Sequence, residues 1–347
     1  MKTIRIGTRS SILALWQAHW VRDELVRNGV SVDVVPISTT GDHDQNNPLT
    51  NMGFQGVFAK EIQRALLDHR VDLAVHSLKD LPVIPVDGLQ LSAVPERADT
   101  RDAFLSRKYQ SLDALPDGAV IGTGSLRRQN QIFHYCKKQL EIRPIRGNVE
   151  TRIKKMEAGE YDAIILASAG LTRLGFTDQI RHYLEPPCYL PAVGQGALGL
   201  ETRCDDQETI EQLMVVNHPE TFLTILAERS LLRTLEGGCI VPIGALGRVR
   251  RSVENNNDGQ KENAVKQQVL LSHSVEKRGG PTLHLMAQIF SMDGKQCFQS
   301  ESECSLETEL MSQKNQVCAK ELGRDLAEGL LKQGAAGIID DIKKSRK

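Results

Sequence analysis

Apolar positions along the chain alternate between short unbroken runs and longer segments where they return every third or fourth residue. Thr3 to Gly7 (TIRIG) predicts a strand, Thr8 to Ser11 a turn, and ILALWQAHWVRDELVRNG a helix carrying Ile12, Leu13, Leu15, Trp16, Val21, Leu25 and Val26 on its recurring face. Ser10 or Ser11 is the candidate N-cap and Gly29 the candidate C-cap. The pattern continues with a strand over 31–38, a polar stretch TTGDHDQNNPLTNMGFQG too long for a plain connection, a helix over 60–69, and the apolar strand VDLAVHS, which suits a buried parallel position.

After Pro95 the alternation restarts. It predicts a strand near 103–106, AVIGT at 119–123, the helix SLRRQNQIFHYCKK, the strand LEIRPIR, the helix NVETRIKKMEAGE and the strand YDAIILAS. Repeated strand and helix imply a parallel sheet covered by helices, built twice. PAVGQGALGLETR (191–203) reads as a strand returning toward the first unit. A long amphipathic helix from Pro219 leads to EGGCIVP, and strands (VPIGALGRV, LHLMAQIFSM) with a helix over about 317–333 predict a third, smaller α/β unit. A polar stretch lies between Arg250 and Pro281, and VLLSHSV inside it is a candidate edge strand.

A length of 347 residues calls for two or three domains. Lys and Arg total 43 against 44 for Asp and Glu, so net charge gives no case for nucleic acid or a membrane surface, and any anion site must be local. Seven scattered cysteines without a C-x-x-C pair argue against a disulfide framework and a zinc site, so no metal is expected. With no apolar signal core at the start and no apolar run of spanning length, a cytoplasmic protein is expected.

Arginines recur where strand gives way to helix: Arg9 in GTRSS, Arg127 and Arg128 in GTGSLRR, Arg146 and Arg152 in IRGNVETR, and Arg173 in AGLTR. In a parallel sheet these junctions share the carboxyl edge, where ligands bind. One such arginine alone is more often a solvated helix-start residue or a structural ion pair. Recurrence in both units, with hydroxyls at Ser11, Thr123 and Ser125, predicts a ligand bearing several acidic groups. Asp80 in HSLKDLP fits either a turn cap or a crevice carboxylate that stabilises a cation, and His76 reads as a packed strand residue. GTGSLRR lacks the spacing and lysine of a phosphate loop. Cys239, after a glycine pair at a helix end, is either a thiol projected into a cleft or a small buried hydrophobe.

Taken together and in order, GTRSSILAL, HSLKDLP, GTGSLRR, IRGNVETR, PAVGQGALGLE and EGGCIVPIGA resemble the porphobilinogen deaminases, or hydroxymethylbilane synthases, over most of residues 1–250 and more loosely beyond. The resemblance implies three α/β domains, the first two like type II periplasmic binding proteins with a double chain crossover. The expected division is 1–97 plus 197–215, then 98–196, then 216–347 with an insertion at about 250–282. It also implies a dipyrromethane cofactor on Cys239, head-to-tail addition of four porphobilinogen molecules with loss of ammonia, and release of hydroxymethylbilane by a monomer. Asp80 matches the family's catalytic aspartate, held to assist loss of the amino group and to stabilise the azafulvene-like cation. Arg9, Ser11, Lys79, Thr123, Ser125, Arg127, Arg128, Arg146, Asn148, Arg152, Arg173, Gln195 and Gly196 match cofactor- and substrate-binding positions. Gln55 stands where many members carry lysine, and the insertion has no counterpart in the family pattern. A non-catalytic protein binding a polycarboxylate is the competing reading, but it needs neither Cys239 nor Asp80. A cysteine hydrolase fits less well, because none of the motifs supplies a paired histidine.

Overall fold

The computed structural model describes residues 2–37, 59–236, 241–251 and 280–344. The stretch around Cys239, the polar segment containing Gln55 and most of the insertion, with its candidate strand VLLSHSV, lie outside the described residues.

The first unit opens with β1 (Ile4–Arg9), α1 (Ile12–Arg27), β2 (Val32–Ile37), α2 (Lys60–Leu67), β3 (Leu73–Ser77) and β4 (Leu89–Ala93). The second holds β5 (Asp102–Leu105), β6 (Val120–Gly122), α3 (Leu126–Tyr135), β7 (Glu141–Arg143), α4 (Val149–Glu157), β8 (Ala163–Ala167), α5 (Ser168–Arg173) and β9 (His182–Leu184). The chain returns with β10 (Leu198–Arg203) and α6 (Gln207–Leu213). The third unit contains α7 (Pro219–Thr234), β11 (Ile243–Arg250), β12 (Thr282–Phe290), β13 (Cys297–Ser305), α8 (Gln313–Leu330) and α9 (Ala336–Lys344).

Three sheets result, ordered β2-β1-β3-β10-β4, β7-β6-β8-β5-β9 and β11-β12-β13. The first two are mixed rather than wholly parallel as the strand and helix alternation predicts. β1 runs parallel to β2 and β3, whereas β10 is antiparallel to both β3 and β4. In the second sheet β6 is parallel to β7 and β8, and β5 is antiparallel to β8 and β9. The cause is the double crossover: β5 and β10 each enter a sheet from the other unit, against its direction. The predicted return strand begins only at Leu198, because residues 191–197 turn.

Each of these two sheets is buried on both faces. Ile4, Ile6, Leu73 and Val75 pack with Val21 and Leu25 of α1, while Ala74 and Ile37 pack with Ile62 and Leu66 of α2 on the other side. In the second sheet Phe104 and Ile165 face α3, and Ala103, Leu105, Ile164 and Leu166 face α4, following the two-residue period of a strand. Ser11, Ser125 and Asn148 cap α1, α3 and α4, their side chains accepting from the amides of Ala14, Arg128 and Thr151. The C-cap of α1 is Asn28, with the predicted Gly29 next to it at φ +81°.

Two buried carboxylates hold the crossovers. Glu228 on α7, fully buried, receives Arg97 through both guanidinium nitrogens at 2.6 and 3.1 Å, plus the amides of Gly194 and Gly247, each at 2.8 Å. Arg97 also donates to the carbonyl of Gln195 at 2.9 Å. One carboxylate therefore joins the outgoing crossover, the returning crossover and β11. Asp102, at the start of β5, accepts from Arg127, Arg128 and Gln195. Glu228→Ala should leave Arg97 and two amides without a buried acceptor and lower unfolding free energy by about 3–5 kcal/mol in urea titration, and a loss below about 1 kcal/mol would show that the three segments hold together without it.

Candidate functional site

The carboxyl ends of β1, β3, β7 and β8 converge on a cavity of about 820 Å³ between the first two units. Arg9 ends β1, Asp80 and Lys79 occupy the turn after β3, Arg146 and Asn148 precede α4, Arg152 lies one turn inside it, and Arg173 closes α5. Arg9, Ser11, Lys79, Asp80, Arg128, Arg146, Asn148, Arg152, Arg173 and Gly196 all line the cavity. Thr123, Ser125, Arg127 and Gln195 are not among its lining residues. Thr123 is buried and accepts from the Ser125 amide at 3.2 Å, and Ser125 caps α3. Arg127 is bound to Asp102, to Gln131 and to the carbonyl of Leu190, between 2.7 and 2.9 Å. Gln195 bridges Asp102 and the Thr100 carbonyl. Arg128 does both jobs, lining the cavity while its guanidinium is held by Asp102 and the Ile165 carbonyl.

The lining carries seven cations, Arg9, Lys79, Arg128, Arg146, Arg152, Lys155 and Arg173, against two carboxylates, Asp80 and Glu150. Burial, reinforced in two cases by neighbouring charge, lowers the ionisation of three of these cations. Burial, with the charges of Arg128 and Arg127 beside it, pushes the Lys79 ammonium down to about 8, although Asp80 and Asp102 pull the other way. Burial and the neighbouring charges of Arg128 and Arg146 lower Arg152 to about 10, and burial alone lowers Arg173 to about 10. Asp102, by contrast, lies well below the usual carboxylate range, because the two arginine charges and their hydrogen bonds outweigh its burial. Cations crowded in this way favour an anionic occupant.

Asp80 is exposed to the cavity, and its carboxylate forms no hydrogen bond or ion pair with a described residue. It therefore caps nothing within the described chain. Asp102 and Glu228, which the sequence reading passes over, are the carboxylates that do structural work. The only hint of them in the sequence is a charged residue inside an otherwise apolar run, in DAFL and in ILAERSLL. His76 is buried on β3, as its strand position predicts.

Two glycines allow the close approach behind the cavity. Gly196 has φ +86°, and a Cβ there would sit 2.6 Å from the Ala98 carbonyl oxygen. At Gly194, φ +72°, it would press on the backbone of Leu78 and Lys79 at 3.3 Å, against the turn that carries Asp80. The described residues flanking Cys239 approach the same wall: Leu235 and Val241 belong to one buried cluster with Val193, next to the lining residue Gly194.

The Lys79 ammonium should titrate near pH 8, so the cavity loses one positive charge as pH rises through that value. Carbon-13 NMR of the dimethylated protein should resolve one lysine with that midpoint, absent in Lys79→Arg, and a Lys79 midpoint near the ordinary 10.5 would remove the crowding account.

A family model described as porphobilinogen deaminase, dipyromethane cofactor binding domain, matches residues 4–211, and a second, porphobilinogen deaminase, C-terminal domain, matches residues 222–332. Among solved structures, the methionine binding protein MetQ is 12% identical, with a TM-score of 0.41 over 63% of this chain and 92% of its own. Immunogenic lipoprotein A from Vibrio vulnificus gives 10% identity and 0.40 over 63% and 96%, and the periplasmic VFT2 domain of Bordetella pertussis BvgS gives 14% and 0.37 over 62% and 86%. The first two units are two mixed sheets of matching strand order, with the chain crossing between them twice. With both family models matched in order over nearly its whole length, the chain belongs to the porphobilinogen deaminase family.

Proposed function

We propose that this protein is a transferase, a hydroxymethylbilane synthase, which joins four porphobilinogen molecules head to tail with loss of ammonia and releases hydroxymethylbilane. The observation that carries this reading is Asp80, a carboxylate with no hydrogen bond or ion pair to a described residue, in a cavity lined by seven cations and one other carboxylate. A cavity serving only to bind a polycarboxylate gains nothing from a carboxylate at its centre.

The cation set fits a dipyrromethane, since each of its pyrroles carries an acetate and a propionate in this family. Bound through Cys239, that group supplies a fixed primer on which the chain is extended. Arg9, Arg146, Arg152 and Arg173 hold the carboxylates by paired hydrogen bonds, with Ser11, Asn148 and the Gly196 backbone completing the wall. Lys79 and Arg128 line the same cavity and place positive charge near the Asp80 carboxylate. Asp80 stabilises the positive charge that develops as the amine leaves the substrate methylene, and it accepts the proton released on coupling. Thr123, Ser125, Arg127 and Gln195 act one layer behind, holding α3 and the crossover in place. The same reading places the protein in the cytoplasm as a monomer, with domains 1–97 plus 197–215, 98–196 and 216–347. The membership of β1–β4 and β10 in one sheet, β5–β9 in another and β11–β13 in a third supports that division. Among the described residues no helix is long and apolar enough to cross a membrane.

Intact-mass measurement of the purified protein should show an excess equal to two linked pyrrole units, lost in Cys239→Ala, and an unmodified mass in protein that turns over porphobilinogen would overturn the tether. Asp80→Ala should keep the fold and the added mass while kcat falls by about 10²-fold or more. Turnover within a few-fold of the parent would remove Asp80 from the chemistry.

A further inference from the structure

Four acidic side chains are buried in the described chain: Asp72, Asp102, Glu201 and Glu228. Three have a permanent cation as partner. Asp72 is held by Arg5, Lys2 and Arg203, Asp102 by Arg127 and Arg128, and Glu228 by Arg97. Glu201 differs. Its carboxylate receives Gln63 Nε2 at 3.0 Å and faces His76 Nε2 at 3.0 Å, and no described lysine or arginine forms an ion pair with it. A buried carboxylate and an imidazole at this distance share a proton that can move, which an arginine partner does not allow.

The position of this pair gives the mobile proton an outlet. A small pocket of about 80 Å³ adjoins the main cavity and is lined by Arg9, Ser11, Gln17, Ser77 and Asp80, which the two spaces share, and by His76, which lines only the smaller one. Its volume admits a short run of waters, and its hydroxyls and the Gln17 amide offer them partners. With Nε2 turned to Glu201, Nδ1 is the nitrogen of His76 left to exchange with the pocket. A pair that only pinned β3 to β10 would need no opening, since the strands are already in register from Ser77 to Ala74.

We propose that His76, with Glu201 behind it, is a proton relay that serves Asp80 through this pocket. This rests on the reading of the protein as a porphobilinogen deaminase. In each addition a carbon–nitrogen bond of the substrate breaks, a carbon–carbon bond forms, and one ring proton is released. Asp80 takes that proton and passes it along the pocket waters to His76 Nδ1. Glu201 stabilises the imidazolium, which then returns the proton by the same route to the ammonia already released by carbon–nitrogen cleavage, and that ammonia leaves the cavity as ammonium. Charge and protons balance over the cycle, and Asp80 is restored as a carboxylate for the next addition. The charged groups around the imidazole are Glu201 on β10, Asp80 and Lys79 on the turn after β3, Arg9 on β1, and Arg229 on α7, whose charge couples to Glu201.

Two measurements on the cofactor-bearing protein test the relay. In His76→Gln, which keeps a hydrogen-bonding partner for Glu201, kcat should fall about tenfold or more with KM within about threefold, and the solvent deuterium isotope effect on kcat should grow as proton return becomes limiting. Glu201→Gln should do the same and serves if the first variant does not fold. Independently of turnover, nitrogen-15 NMR should show the His76 midpoint moving down in Asp80→Asn, because removing a neighbouring negative charge disfavours the imidazolium. A folded His76→Gln with the parent kcat and isotope effect, or a His76 midpoint unmoved in Asp80→Asn, overturns the proposal. Failure of the unsubstituted protein to consume porphobilinogen would instead remove the function on which it rests, while the NMR coupling would still report the connection between the two groups.

Discussion

A carboxylate with no access to water must have every lone pair answered, and Glu228 meets that demand by drawing three distant segments to one point. Arg97 comes from the outgoing crossover, the Gly194 amide from the returning one and the Gly247 amide from the third sheet. Gly194, so placed, lies against the backbone of Leu78 and Lys79, and the turn bearing Asp80 follows. Asp102 repeats the device on the other side, where Arg127, Arg128 and Gln195 fix the start of α3 to the crossover. The walls of the cavity are thus held by full ionic partner sets rather than by loop conformation.

Those same partner sets explain why the cavity is electrically unfinished. Acids deep in the fold are matched to cations deep in the fold, so the cavity lining keeps a surplus of positive charge, seven cations against Asp80 and Glu150. Burial, together with this crowding of charge, lowers the ionisation of Lys79 and Arg152. A ligand with several carboxylates would complete the balance, with Asp80 exposed among these cations.

Much of this was legible from the chain. Periodicity locates β1, α1, β3, α3, α4, β8 and α7, because each combines a clear apolar face with a capping or turn residue. Strand direction was not legible: β10 reads like any buried strand, and only the second crossing makes it antiparallel. β13 escaped notice because CFQSESECS is largely solvent-facing and lacks an apolar run. Arg127 and Arg128 are adjacent and identical in type, yet one is enclosed beside Asp102 and Leu190 while the other reaches the cavity. Helical rotation of about 100° per residue separates them, and no local pattern says which side faces ligand. Asp80 and the arginines at strand ends were legible for the opposite reason, since topology alone delivers that edge to one cleft.

The place of β10 between β3 and β4 has a consequence for how the polypeptide is made. Leu198 and Leu200 are part of the first unit's core, so that core stays open until the ribosome has passed residue 200. By then every strand of the second sheet, which ends at Leu184, has already been synthesised. The usual vectorial order, in which the amino-terminal domain matures first, is reversed here: the middle of the chain can close while the beginning waits, with its apolar strands exposed, for a strand synthesised later.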